Sequence, residues 1–190
     1  YNSSFINSEK KQVYHKSKLV VGVENLPYKS ILKPLLGNVL LDFGGTVMSR
    51  ASQNERTVYE TKNNFKVAPI ICYESMYGEF LNEYIRNGAE FFAIITNDGW
   101  WGDSQGHKQL LSLSRLRAIE SRRGIVRSAN TGISAIIDFR GNILKSIPYN
   151  EKGVIFGEIN ISKEITFYSK YGDFIYRISL FLFLIIFLFY

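Results

Sequence analysis

Ala68-Pro69-Ile70-Ile71-Cys72-Tyr73-Glu74-Ser75 is the stretch that decides how this 190-residue chain is read. Phe65 to Cys72 has the length and the apolar, β-branched side chains of a strand. Thr57-Val58-Tyr59-Glu60 is set to pair with it across the turn Lys62-Asn63-Asn64. Met76, Phe80, Tyr84 and Ile85 then recur at helical spacing up to Arg86, with Gly88 as the stop. The only cysteine therefore falls at a strand-to-helix junction. A helix N-terminus offers unpaired backbone N–H groups and partial positive charge, which favour a thiolate and, later, an oxyanion. An inert small residue closing a strand fits the same position, and the junction alone leaves both readings open.

Downstream, Phe91-Phe92-Ala93-Ile94-Ile95-Thr96 is a continuous apolar run of strand length, the pattern of a strand buried on both faces. It ends in the glycine-punctuated loop Asn97-Asp98-Gly99-Trp100-Trp101-Gly102-Asp103. His107 to Arg123 is predicted as an amphipathic helix with the apolar stripe Leu110, Leu111, Leu113, Leu116 and Ile119, closed by Gly124. Ile125 to Ser128, Ser134 to Asp138, Ile143 to Ile147 and Val154 to Ile159 are four further predicted strands, two of them joined by Arg140-Gly141-Asn142. Upstream, Tyr1 to Phe5 and Gln12 to Tyr14 make a hairpin across Asn7-Ser8-Glu9-Lys10. Lys16 to Leu36, with Pro27 and Pro34, is expected as a long loop with one helical turn near Ile31, and Val39 to Phe43 as a strand entering the turn Gly44-Gly45. Strands, then two helices, then strands indicate a layered α/β or α+β domain with helices covering sheets.

A composition that is 46% hydrophobic and 21% charged supports one buried core and excludes a disordered chain. The net charge of +6 would suit nucleic acid or anionic lipid, but the basic residues are scattered and no nucleic-acid motif accompanies them. A generic solvated surface and no nucleic-acid partner are expected. One cysteine excludes an internal disulfide framework and a zinc site of several thiolates. His15 and His107 are too isolated for a metal site, so both are expected to be solvated, with no metal and no cofactor.

From Gly172 the character changes, and Ile178 to Tyr190 holds one serine among apolar and aromatic residues. A bilayer crossing needs about 20 residues, and a shorter run is more often a core helix. This run leaves no polar face for water, so residues 172–190 are read as the start of a C-terminal transmembrane helix, with a core helix or an interfacial anchor as the alternatives. Residues 1–171 are expected to form one domain in this division. The chain opens on Tyr1 inside a strand-like stretch, and a missing natural beginning is expected.

Two segments add to the cysteine junction. Tyr14-His15-Lys16-Ser17-Lys18-Leu19-Val20, with Glu24 eight residues beyond Lys16, resembles the segment that carries the catalytic lysine of the nitrilase (carbon-nitrogen hydrolase) superfamily. Ile71-Cys72-Tyr73-Glu74 resembles its nucleophile segment. Within the superfamily the chain is most similar to the apolipoprotein N-acyltransferase family, through Glu24, Cys72-Tyr73-Glu74, the Asn97 to Asp103 loop, Arg115 to Glu120, Arg127 to Gly132 and Asp138 to Gly141. Departures are Lys18 where the family commonly has histidine, and Val21-Gly22-Val23 in place of proline-phenylalanine-glycine. No segment before Lys16 resembles the surroundings of the family's base glutamate.

The resemblance implies a nitrilase-like four-layer α-β-β-α sandwich, truncated at its N-terminus. It implies Cys72 as nucleophile, Lys16 and Glu24 beside it, and a base glutamate outside this chain. Transfer of a fatty acyl group is expected from a phospholipid, through a Cys72 thioester, to the N-terminal amine of a diacylglyceryl apolipoprotein, at the outer face of the bacterial inner membrane. The backbone N–H of Tyr73 would support the oxyanion. Glu74 either braces the site or begins the helix. Trp100 and Trp101 either line an acyl pocket, meet the bilayer surface or belong to the core. A C–N-hydrolysing amidase and a non-catalytic membrane-anchored domain of the same fold are the competing readings.

Overall fold

The computed structural model describes residues 1–21, 24, 25 and 51–189. The sequence-predicted turn near Ile31 and the strand Val39 to Phe43 lie outside those residues. Strands β1 (Ser3–Asn7) and β2 (Lys11–His15) form the expected antiparallel hairpin. A six-stranded mixed sheet follows in the order β3-β4-β5-β6-β7-β8. β3 (Tyr59–Glu60) pairs antiparallel with β4 (Lys66–Ile71), as the turn residues between them required. β4, β5 (Phe91–Thr96) and β6 (Ile125–Ala129) run parallel, while β7 (Ser134–Ile137) and β8 (Ile143–Ile147) return antiparallel.

Parallel neighbours need a crossover, and two helices supply it. α1 (Gly78–Arg86) links β4 to β5, and α2 (Gln105–Ser121) links β5 to β6. Three strands thus deliver their carboxyl ends to one edge of the sheet, where ligand crevices form in α/β folds. Cys72, Asn97 and Asn130 are the residues that follow those ends.

The register aligns Ala68, Phe92, Ile125 and Ile137 across one face, and all four are fully buried. They share a core with Phe80, Leu81, Tyr84 and Ile85 of α1 and Leu111 and Ala118 of α2. The expectation that β5 is buried on both faces needs correction, because Ile95 on the other face is 50% exposed. Among the described residues nothing seals that second face to the same degree, so the four-layer sandwich is represented here by one mixed sheet with its crossover helices.

The stripe read for α2 also needs correction. Its buried residues are His107, Leu110, Leu111, Ser114, Arg117, Ala118 and Ser121, whereas Leu116 and Ile119 point outward. A 3.6-residue period sets 107, 110, 111, 114, 118 and 121 on one side, and a stripe of leucines leaves out the polar members of that set. Helix α2 starts at Ser104, whose side chain accepts from the Gly106 amide, and ends at Arg122 in the left-handed region. The predicted strand Val154 to Ile159 has no ladder partner among the described residues, and Val154 and Phe156 are exposed. At the β7–β8 turn the Asp138 carboxylate accepts from the Arg140 and Asn142 amides, each at 2.8 Å. Gly141, at φ +81°, sits there against Ile119.

The tail begins with α3 (Phe167–Tyr171), capped by Thr166 and tied to α1 by Asn82 donating to the Tyr168 carbonyl at 3.2 Å. α4 (Phe174–Phe189) follows with 16 residues, none of them buried. Glu79 holds its base by accepting from the Asp173 amide at 2.7 Å and pairing with Arg177. At 1.5 Å per residue α4 is roughly 24 Å long. No helix among the described residues is long and apolar enough to cross a membrane, so the expectation that residues 172–190 begin a transmembrane helix is left without support. Among them, Phe174–Phe189 form a mostly apolar helix with no buried residue.

The corrected α2 face predicts that Leu111→Ala lowers stability by about 2–5 kcal/mol. Leu116→Ala is expected to change it by less than about 0.5 kcal/mol. Urea titration of both variants checks the assignment, and equal losses would return Leu116 to the core.

Candidate active site

The cysteine turn is held from below. Cys72 opens the 3₁₀ turn Cys72–Met76 with φ +51°, a left-handed conformation that a non-glycine residue adopts at a cost of about 1–3 kcal/mol. The fully buried Glu74 carboxylate sustains it. One of its oxygens accepts from the Ile71 amide at 2.8 Å. The other accepts from the Tyr14 hydroxyl and the Ser17 amide, each at 2.6 Å, and from the Lys18 amide at 3.3 Å. Burial pushes the Glu74 carboxyl above its usual range, and these hydrogen bonds pull against that shift. Burial beside this carboxylate likewise raises the Tyr14 phenol. Glu74 is therefore a brace: it joins the cysteine turn to the strand end that carries the lysine.

Lys16 follows β2, and its amide donates to the Asn2 carbonyl at 2.7 Å. Its side chain is almost fully buried, and Nζ donates to Glu24 at 2.7 Å. Glu24 also accepts from the Val20 amide and from Asn2 Nδ2, each at 2.9 Å. Burial alone would raise the Glu24 carboxyl, but hydrogen bonds from Lys16, Val20 and Asn2, with the lysine charge, hold it below its usual range.

Lys16, Glu24 and Cys72 line one cavity of about 590 Å³ at the carboxyl edge of the sheet. Tyr73 and Met76 come from the cysteine turn, Trp100 and Trp101 from the loop after β5, and Ile95 and Leu110 add apolar wall. Asn2, Asn97 and Asn130 supply polar groups at its margin. The residues singled out as nucleophile, lysine, second carboxylate, oxyanion support and aromatic lining are thus brought together, while Glu74 stands behind the turn rather than in the cavity. Three participants escaped the sequence reading. Tyr14 and Asn130 lay inside quoted segments with no role attached, and Asn2 carried no local signal. His107 corrects an expectation too: it is fully buried and stacked on Tyr149 at 4.4 Å, not solvated.

This geometry places the thiol at a cavity on the carboxyl edge of an α/β domain. The chain belongs to the carbon-nitrogen hydrolase family, whose model matches residues 1–166. Among curated proteins it is 34% identical over 89% of its length to an apolipoprotein N-acyltransferase of Chlorobaculum tepidum. It is 38% identical over 88% to that of Rickettsia typhi. The chain spans about a third of the length of these relatives, 32% and 33% respectively. Among solved structures, an amidase from Nesterenkonia sp. superposes with a TM-score of 0.54 at 15% identity, covering 75% of this chain and 47% of that one. A variant of the Nesterenkonia sp. AN1 amidase in complex with butyramide gives 0.56 at 13% identity, covering 78% and 51%. These last two show the shared nitrilase-like fold.

Two expectations follow from the buried carboxylates. Glu74 needs acceptors only, so Glu74→Gln turns one oxygen into a donor that faces other donors and lowers stability by about 1–3 kcal/mol, read by denaturant titration. The folded Glu24 carboxyl lies below its unfolded value, so its contribution to stability is complete above the ordinary carboxylate range. That contribution is lost as the pH falls through the lowered folded value. Stability measured across that acid range should fall less steeply in Glu24→Gln, and an unchanged slope would separate Glu24 from the acid transition.

Proposed function

We propose that this chain carries the thiol centre of an acyltransferase that moves a fatty acyl group from a phospholipid to the N-terminal amine of a diacylglyceryl apolipoprotein. The observation that carries the reading is the shared cavity, in which the thiol of Cys72, the buried ammonium of Lys16 and an apolar wall with two tryptophans converge. The similarity to acyltransferases over most of the chain supports the same choice over simple C–N hydrolysis.

In this mechanism Cys72 loses its proton to a carboxylate and Sγ attacks the ester carbonyl of the donor. The carbonyl π electrons move onto oxygen, where Lys16 Nζ and the Tyr73 N–H stabilise the negative charge. Loss of one such donor lowers rates about 100- to 1,000-fold. Collapse breaks the C–O bond, the lysophospholipid leaves as an alcohol after taking up a proton, and a thioester remains on Cys72. The lipoprotein amine then attacks that carbonyl, the C–S bond breaks, the amide forms and the thiol is restored. Neither visible carboxylate suits the base: Glu24 is engaged by Lys16, Val20 and Asn2, and Glu74 lies behind the turn among four donors. We assign the base to a glutamate outside this chain. Glu24 positions Lys16 through the 2.7 Å hydrogen bond from the lysine Nζ.

We further propose that α4 lies in lipid and that the domain works at the outer face of the bacterial inner membrane. A helix with apolar side chains on every face has no favourable orientation in water, whereas hydrocarbon accommodates all of them. The acyl donor is dissolved in that same phase.

The complete protein, incubated with phospholipid, is expected to gain a hydroxylamine-labile acyl group on the Cys72 peptide, detected by mass spectrometry. Cys72→Ala should lose it, and Lys16→Met should form it about 100-fold or more slowly. Acylation that persists in Cys72→Ala, or release of ammonia from short amides with no phospholipid-derived adduct, would overturn the proposal.

A further inference from the structure

A second pair of buried charges lies beside the cavity. Asp98 is fully buried, and its Oδ2 accepts from Arg127 Nη2 at 2.6 Å. Asp98 Oδ1 accepts from the Thr96 hydroxyl at 2.7 Å, and its carbonyl accepts from the Trp101 amide at 3.1 Å. Arg127 Nη1 donates to the Ile133 carbonyl. The two terminal nitrogens of one guanidinium therefore clasp two loops: the Trp100–Trp101 loop after β5 and the β6–β7 turn. Gly132 belongs to the same joint, since any side chain there would overlap the Asp98 carboxylate. Both loops feed the cavity, one through Asn97 and the tryptophans, the other through Asn130.

Stability does not explain the arginine. The register places Arg127 between Ile94 and Ala135 on the apolar face of the sheet, where an aliphatic residue would pack. Its Nε is buried without a hydrogen-bond partner among the described residues. Replacing a buried ion pair by apolar residues of similar volume is often neutral or stabilising, so such a pair is weak support for the fold itself. What an aliphatic residue cannot do is bind two loops at once through a planar fork, and lysine, with a single point charge, does so poorly.

We propose that Arg127 and Asp98 are positioning residues that fix the tryptophan wall of the Cys72 cavity and thereby set recognition of the acyl chain of the donor. This rests on the acyltransfer reading above and deepens it: the pair acts on binding of the long apolar chain and leaves the reactivity of the thiol untouched. Trp100 and Trp101 are the only tryptophans in this chain, so the emission lost when both are replaced by phenylalanine in each variant reports the wall.

The test uses the complete protein in detergent micelles doped with a phospholipid that carries bromine on its acyl chain, a quencher of tryptophan emission. Arg127→Met, Arg127→Lys and the paired replacement Asp98→Leu with Arg127→Met are compared with the parent. The pair leaves no lone buried charge and serves if single variants fail to fold. The expected result is cooperative unfolding and an unchanged rate of Cys72 alkylation by iodoacetamide. The quenching midpoint should rise about tenfold, and KM for the donor should rise similarly with a smaller change in kcat. Arg127→Lys should fall between parent and Arg127→Met. A folded Arg127→Met or paired variant with parental quenching and KM overturns the proposal, as does parallel loss of alkylation, quenching and folding in all three. If the parent quenches normally but never acylates Cys72, the acyltransfer reading fails, and the quenching comparison still decides the role of the wall.

Discussion

The site depends on one buried carboxylate receiving four hydrogen bonds. Glu74 collects the amides of Ser17 and Lys18 and the hydroxyl of Tyr14 from one stretch of chain, and the amide of Ile71 from another. Removed from water, a carboxylate is costly unless every lone pair is answered, and here each donor belongs to backbone or side chain that must be in place for the site to exist. The lysine strand end and the cysteine turn thus cannot drift apart without exposing a charge to an apolar interior. The left-handed backbone at Cys72 persists for the same reason, since the surrounding bonds over-determine it.

Three buried charge systems gather at the carboxyl edge of the sheet: Glu74 with its donors, Lys16 with Glu24, and Asp98 with Arg127. Each ties segments that are remote in sequence or belong to different loops, and none is an efficient way to stabilise a fold. Together they hold dipoles and charges in place before any substrate arrives, and in a cavity with apolar walls fixed charges act more strongly than in water. The parallel run of β4, β5 and β6 is what makes this economical, because three successive strand ends open on one crevice.

The exposed helix α4 leaves from the same end of the molecule. Its base is held by Glu79, which lies in the first turn of α1 just beyond the cysteine turn. An apolar helix and an apolar-walled cavity at a common end suit a donor whose acyl chain is dissolved in lipid, which is the arrangement the proposed reaction needs.

Local pattern was enough to read the hairpin, the β3–β4 pair, the crossover helix after Cys72 and the strand-ending position of the thiol, because periodicity, turn residues and length are properties of short windows. Motif likeness marked Lys16, Glu24, Cys72 and the tryptophan loop as members of one centre. Neither could assign the buried face of α2, where His107, Ser114 and Arg117 face inward and Leu116 outward, since a polar residue reads as exposed until its partners are known. Nor could they find the partners of Glu74, the anchoring of Glu24 by Asn2, or the clasp of Asp98 by Arg127. Hydrogen bonds and ion pairs between distant segments leave no period in a sequence, and only the folded chain brings donor and acceptor within reach.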